Sequence, residues 1–358
     1  MKVYNFNAGP AMLPAAVMER AQKEFCNYAD SGCGIMEHSH RHKIFEAVLN
    51  RANENIREIM NVPENYDIVY IQGGASMQFA MVPMNLVLPG KPMEFADTGT
   101  WSSKAIKEAK LFGEVKVIAS SKEDKYTYIP DPASMHPSDD ASFFHITSNN
   151  TIFGTQYQSF PECKCPMIAD MSSDIMSRPV DISKFGLIYA GAQKNLGPAG
   201  MAVVIIRKDL AERNPANVPT ILRYSTYTQN NSLYNTPPTF GIYMISLVTD
   251  WVKDQGGLTA IEANNSRKAE MLYAAIDASE GFYRNPVKAD SRSKMNVIWR
   301  LPTEELEAEF VKESIAAGML GLKGHRSVGG IRASIYNAVT IEGVEKLVDF
   351  MEKFRKNH

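Results

Sequence analysis

The sequence predicts an α/β protein with a large part built on a mostly parallel sheet and a small C-terminal α+β part. Three observations predict it. From about residue 43 to residue 206, short apolar runs alternate with amphipathic helical stretches, the pattern of helices layered on a sheet. The predicted strands end in polar groups, as expected where an open α/β sheet binds a ligand at its C-terminal edge. After Gln255-Gly-Gly257 the alternation stops, and the remainder reads as helix, strand, helix, strand, helix.

Asn5-Phe-Asn-Ala-Gly-Pro10 reads as a Gly-Pro loop, and Pro14 opens a helix to about Tyr28, a position that suits its fixed φ. Gly34-Ile-Met-Glu-His-Ser-His40-Arg41-His42 follows. A metal site is one reading of the histidines. Arg41 among them repels a cation, so an anion clamp fits better, with a solvated polar loop as the plain alternative. A helix is expected from Lys43 to about Asn61, with Ile44, Val48, Ile56 and Ile59 on one side.

Asp67–Ile71 reads as a strand that feeds Gln72-Gly-Gly-Ala75-Ser76-Met77, which opens a helix to about Leu88. Backbone N–H groups at such a helix start can meet an anion, and the glycines let the backbone come close. The spacing is neither G-x-G-x-x-G nor the P-loop pattern. Met93–Asp97 is the next strand, ending in Thr98-Gly-Thr-Trp101, with Ser102 as the expected N-cap of a helix to Leu111. Strands over Val115–Ala119 and Ala141–Thr147 continue the series, the second ending in Ser148-Asn-Asn-Thr151. Ser120–Asp140, Ile205–Pro219 and Tyr224–Pro238 read as connections; the last is long, polar and aromatic, which suits a functional or interfacial loop.

The chemistry concentrates in two stretches. Leu187–Met201 holds an apolar run, Gln193, Lys194, a Gly-Pro-Ala-Gly turn and a second apolar run, hence strand, turn, strand. A lysine held there on a rigid base can form a Schiff base with a carbonyl if burial lowers its pKa. Upstream, Cys165-Pro-Met-Ile-Ala-Asp170 places a carboxylate at a strand end. Carboxylate plus lysine is the pair that a pyridoxal phosphate (PLP) ring requires, one on its pyridine nitrogen and one on its aldehyde. Each residue alone has an ordinary reading, as a turn lysine or a strand-end acid.

With 358 residues, 44% hydrophobic and 22% charged, the chain can bury a sizeable core. A net charge of -2 gives no basis for a nucleic-acid or membrane-surface partner. No apolar run approaches the ~20 residues of a membrane span, and the start lacks a signal-peptide core, so a cytoplasmic protein is expected. Four cysteines, with Cys163 and Cys165 as an isolated C-x-C, read as reduced thiols rather than a disulfide framework or zinc site.

The motifs Asn5–Pro10, Ser39-His-Arg41, Gln72–Ser76, Ala169–Ser173, Gly191–Asn195, Asn235-Thr-Pro-Pro238 and Gly324-His-Arg…Gly-Gly-Ile-Arg332 together resemble the phosphoserine aminotransferase family, class V PLP-dependent aminotransferases of fold type I, essentially end to end. The resemblance implies a large PLP-binding domain, residues 16–257, and a small domain of residues 1–15 and 258–358. It implies that Lys194 carries PLP and then moves the substrate proton, that Asp170 keeps the pyridine nitrogen protonated, and that Trp101 stacks on the ring. Ala75, Ser76 and Gln193 would hold the cofactor phosphate and Thr151 the ring oxygen. Asn235 and Thr236 would reach the phosphate in the neighbouring subunit of a homodimer. His40, Arg41, His325 and Arg326 would hold the substrate phosphate or the distal carboxylate of glutamate, and Arg332 the α-carboxylate. Some members carry an arginine just after the small residue of the Gly-Gly turn, where this chain has Ser76-Met77.

The activity implied is reversible ping-pong transamination of 3-phosphooxypyruvate with glutamate, giving O-phosphoserine and 2-oxoglutarate in serine biosynthesis. Some members also act on a phosphorylated four-carbon homologue in vitamin B6 synthesis. A cysteine desulfurase of the same fold needs a thiol in the C-terminal part, and every cysteine here precedes residue 166. A dehydrogenase needs a G-x-G-x-x-G turn, which is absent. A binding protein that has lost the chemistry would have no reason to keep Lys194 and Asp170.

Overall fold

The structure is a computed structural model that describes residues 2–213, Pro215 and residues 217–358. In chain order the elements begin with β1 (Tyr4–Asn5), α1 (Ala15–Glu24), α2 (Lys43–Met60), β2 (Tyr66–Gln72), α3 (Gly74–Leu86), β3 (Met93–Asp97), α4 (Thr100–Ala109), β4 (Val115–Ser120) and β5 (Phe143–Thr147). Next come β6 (Asn149–Asn150), β7 (Thr155–Gln156), β8 (Met167–Asp170), β9 (Leu187–Gly191), β10 (Met201–Arg207), α5 (Lys208–Ala211), α6 (Tyr224–Gln229) and α7 (Thr239–Asp254). The chain closes with α8 (Gly257–Asp277), β11 (Asn296–Trp299), α9 (Glu304–Ala316), β12 (Met319–Leu320), β13 (Ile331–Ser334) and α10 (Ile341–Asn357).

The central sheet has seven strands in the order β2-β10-β9-β8-β5-β3-β4. β10 runs antiparallel to both neighbours, and the other pairs that adjoin are parallel. The strand–turn–strand reading of residues 187–206 is therefore a β9–β10 hairpin. Because only β10 is reversed, the C-terminal ends of β2, β3, β5, β8 and β9 all open on one edge of the sheet.

Alternation along the strands builds a core on each face. Ile68, Tyr70, Ile188, Ala190, Val203 and Ile205 pack toward α2 and α7. Val69, Ile71, Leu187, Tyr189, Val204 and Ile206 pack toward α3 and α4. Each fully buried branched side chain contributes about 1.5–3 kcal/mol relative to exposure. A separate core holds Tyr4 and Phe6 from the N-terminus together with residues from Ala269 to Phe354. β1 reaches it by pairing in parallel with β12, which the sequence did not announce because each strand is two residues long. Among the described residues, no helix is long and apolar enough to cross a membrane.

Three local expectations need correction. Ser102 is not the N-cap of α4: Gly99 holds that position, and the Ser102 hydroxyl reaches back to accept from the Thr98 and Gly99 N–H groups, both at 2.9 Å. Tyr224–Pro238 is not all loop, since α6 fills its first part. Tertiary contacts hold that helix, including Tyr224 Oη donating to Gln78 Oε1 at 2.7 Å and Thr226 Oγ1 donating to the Thr220 carbonyl at 2.6 Å. The Ile205–Pro219 connection holds the last residues of β10 and α5, and includes Asn214 and Ala216, outside the described residues.

Candidate active site

The five strand ends converge on a cavity of about 520 Å³. Its wall includes Gly73–Ser76 after β2, Trp101 after β3, Thr151 beyond β5, Asp170 at the end of β8, and Gln193 and Lys194 after β9; His325 and Arg332 reach it from the C-terminal part.

Lys194 Nζ donates to Thr151 Oγ1 at 2.8 Å and lies 5.9 Å from the Trp101 ring centroid. Burial pulls its pKa down from 10.5 to about 8; Arg332 also lowers it, while Asp170 and Asp174 oppose. Burial pushes the Asp170 carboxyl up, against two hydrogen bonds from Ser172 and the charge of Lys194. Ser172 N and Oγ donate to Asp170 Oδ1 at 2.9 and 2.6 Å, and Ser172 Oγ in turn accepts from Gly191 N at 3.0 Å. Neither bond falls on Oδ2, which has no hydrogen-bond partner among the described residues. Behind it, Ser148 Oγ contacts the Asp170 carbonyl at 3.0 Å and bonds the buried carboxylate of Asp174.

At the other end of the cavity α3 begins. Gly73 caps it at φ 90°, a left-handed value glycine adopts without strain, and Gly73 N is tied to the Gly200 carbonyl of the hairpin tip at 3.0 Å. The first-turn N–H groups of Gly74, Ala75 and Ser76 have no acceptors within the helix, so this end favours an anion. Arg332 on β13 donates to the Thr151 carbonyl at 3.3 Å, and its Nε is buried without a partner. The Trp101 Nε1 is also buried and unpartnered.

These features fit a flat pyridine ring that carries an aldehyde and a phosphate. There is an amine for the aldehyde, a carboxylate oxygen without a partner for the ring N–H, an indole beside them, and a helix N-terminus for the phosphate. Fold and site thus define a class V aminotransferase that uses PLP, and the aminotransferase class-V family model matches residues 3–347. The phosphoserine aminotransferase of Geobacillus kaustophilus is 56% identical over 355 residues, 99% of each chain. The structure of the phosphoserine aminotransferase from Bacillus circulans subsp. alkalophilus aligns with a TM-score of 0.98 at 54% identity, covering 99% of both chains. The PLP-bound phosphoserine aminotransferase of Trichomonas vaginalis aligns with a TM-score of 0.93 at 40% identity, covering 98% of this chain and 100% of that one. The chain belongs to the phosphoserine aminotransferase family.

Not every residue singled out in the sequence lines the cavity. Ala75, Ser76, Trp101, Thr151, Asp170, Gln193, Lys194, His325 and Arg332 do. His40, Arg41 and Arg326, expected around the substrate, do not, nor do Asn235 and Thr236, which were expected to serve the neighbouring subunit. Arg41 and Arg326 are exposed. His40 Nε2 and Asn235 Oδ1 are buried without a partner, and the Thr236 carbonyl accepts from Gln72 Nε2 at 3.2 Å. Conversely, the sequence reading gave no role to Ser172, Ser148 or Asp174. Ser172 had a usable signal: a serine two residues after an Asp can donate to its carboxylate.

Proposed function

We propose that this transaminase transfers the amino group reversibly between L-glutamate and 3-phosphooxypyruvate, giving 2-oxoglutarate and O-phospho-L-serine. The observation that supports this reading best is one cavity holding a buried amine of lowered pKa, a buried carboxylate and a guanidinium, at Lys194, Asp170 and Arg332. Bound PLP supplies the sink for the electrons released when the substrate Cα–H bond breaks.

The chain's own groups do the rest. Lys194 would hold the cofactor and serve as the general acid–base group that moves the proton at the substrate Cα. Asp170 would keep a proton on the pyridine nitrogen, and Ser172 fixes the orientation of its carboxylate. Arg332 forks onto the α-carboxylate shared by all the amino- and oxo-acids. His325, beside it in the cavity wall, starts an anion pocket for phosphate or the distal carboxylate.

His40, Arg41, Asn235 and Thr236 do not line the cavity of their own chain. They serve a site in this reading across a subunit boundary, with Asn235 and Thr236 on the neighbouring cofactor phosphate. The active unit is then a homodimer with shared sites. Residues 16–257 form the PLP-binding domain, and residues 1–15 with 258–358 the small domain, in a cytoplasmic enzyme. The test is formation of glutamate from 2-oxoglutarate with O-phosphoserine or with serine as donor. Phosphoserine alone should support turnover; equal rates with serine would remove the phosphate pocket from the account.

A further inference from the structure

Three consecutive carbonyls in the stretch after β8 each accept a hydrogen bond from a different asparagine. Asn195 Nδ2 donates to the carbonyl of Ile175 at 3.1 Å, Asn337 Nδ2 to that of Met176 at 2.8 Å, and Asn265 Nδ2 to that of Ser177 at 3.1 Å. The asparagines also bond one another. Asn195 Oδ1 accepts from Asn337 N at 3.1 Å, and Asn337 Oδ1 accepts from Asn265 Nδ2 at 2.9 Å. A backbone carbonyl can only accept, so each amide turns its NH2 toward its carbonyl, and the oxygens of Asn195 and Asn337 then face the remaining donors. Asn195 and Asn265 are buried and Asn337 is part-buried. Met176, whose carbonyl takes the middle bond, stands at φ 55°, in the left-handed region that residues other than glycine seldom occupy. Such a conformation persists where its surroundings hold it.

The parts joined here are the ones that carry the chemistry. Asn195 directly follows Lys194, the three carbonyls lie a short way beyond Asp170, and Asn337 lies a short way beyond Arg332. Asn265 is on α8, which passes from one core to another: Leu258 and Ile261 pack in the core beside α2 and α7, Ala269 and Leu272 in the C-terminal core. About one turn on from Asn265, Lys268 Nζ donates to the carbonyls of Ile335, Tyr336 and Val339 at 3.0, 2.7 and 2.9 Å. α8 thus grips the stretch after β13 on both sides of Asn337, and Asn337 passes that hold to the turns behind Lys194 and Asp170.

We propose that Asn195, Asn337 and Asn265 form a latch between the two parts of the chain, with Asn195 and Asn337 as positioning residues that hold Arg332 in register with Lys194 and Asp170. None of the three lines the cavity, and each acts through the backbone it holds. The consequence for substrate rests on the role proposed above for Arg332. A guanidinium that meets the α-carboxylate before and during the reaction alike gives uniform binding, so displacing it raises KM and leaves kcat little changed. Loss of folded protein does the opposite: it lowers the apparent kcat and leaves KM alone.

The test compares holoenzyme of the wild type, Asn337→Ala, Asn195→Ala and Arg332→Lys. Asn337→Ala keeps the backbone N–H that meets Asn195 and loses the side-chain bonds to Met176 and Asn265. It should raise KM for L-glutamate and O-phosphoserine by the same factor, roughly tenfold, since a misplacement of about 1 Å can cost ~10²-fold. Its visible band without substrate should titrate with pH as that of the wild type does, because Lys194 keeps its bond to Thr151 and Asp170 its bonds to Ser172. Asn195→Ala should raise both KM values likewise. Should Asn337→Ala fold poorly, Asn265→Ala, which spares the bonds at Ile175 and Met176, should show the same paired rise at smaller size. Unchanged KM values, a rise for one amino acid alone, or a loss confined to kcat would overturn the proposal. So would a shifted titration in Asn337→Ala, which marks a general loosening of the site. Arg332→Lys, which gives up the planar fork, separates this proposal from the proposed function. If it moves neither KM, the role given to Arg332 fails and the latch's effect on substrate with it; if it moves both and Asn337→Ala moves neither, the latch alone fails.

Discussion

Ser172 Oγ donates to Oδ1 of Asp170 at 2.6 Å and accepts from Gly191 N at 3.0 Å, so one hydroxyl ties the end of β8 to the end of β9 and fixes the carboxylate between them. Ser172→Ala removes both contacts in a buried site. The protein should lose about 1–3 kcal/mol of stability from the orphaned Gly191 N–H. Turnover should fall with little change in KM, because the proposed anion contacts at Arg332 and His325 are untouched. Denaturant unfolding and steady-state kinetics on one preparation check this.

Asp170→Asn keeps the shape and removes the charge. Asparagine cannot hold a proton on the pyridine nitrogen, so kcat should drop by about 10²–10³, the scale of losing a charge placed to stabilise a transition state. PLP should remain bound, because the helix start at Gly74–Ser76 and Lys194 are untouched. Cofactor content and kcat separate these outcomes.

The lysine predicts a pH dependence. Burial holds the Lys194 amine near 8, below the ordinary 10.5, so its neutral, nucleophilic form accumulates as pH rises through about 8 and is lost below it. Apoprotein should therefore take up PLP about tenfold faster per pH unit below that point and level off above it. An ordinary lysine would keep gaining toward 10.5. Stopped-flow absorbance between pH 6 and about 10 distinguishes the two.

The seam between the two parts of the chain gives a further prediction. Asn149 Nδ2 donates to Asn296 Oδ1 at 2.7 Å, and Asn296 Nδ2 bonds Ser334 Oγ at 2.9 Å and Tyr336 Oη at 3.1 Å, all buried. Ser334 shares β13 with Arg332. Asn296→Ala should cost about 1–3 kcal/mol in stability and, under the role proposed for Arg332 on both α-carboxylates, raise KM for glutamate and phosphoserine together. A rise for one substrate alone would contradict this.

Much of the site was legible because its residues stand at strand ends, where a change from apolar to polar marks the edge of the sheet. Asp170, Lys194, Trp101 and the Gly73–Gly74 turn all announce themselves that way. What could not be read depends on distance in space. β1 and β12 are too short to show alternation. α6 has the sequence Tyr-Ser-Thr-Tyr-Thr-Gln, weak in helix preference, and is held by bonds from Tyr224 and Thr226 to Gln78 and Thr220. His40 and Arg41 look equivalent to His325 and Arg326 in sequence, yet of the four only His325 lines the cavity of this chain.

The visible absorption of the PLP-loaded protein, titrated in parallel with O-phosphoserine and with serine, tests the central claim most directly. The account predicts a visible band that O-phosphoserine changes and serine leaves alone, with turnover abolished in Lys194→Ala. An equal response to both amino acids, or a protein that never acquires a visible band when PLP is added, would contradict it.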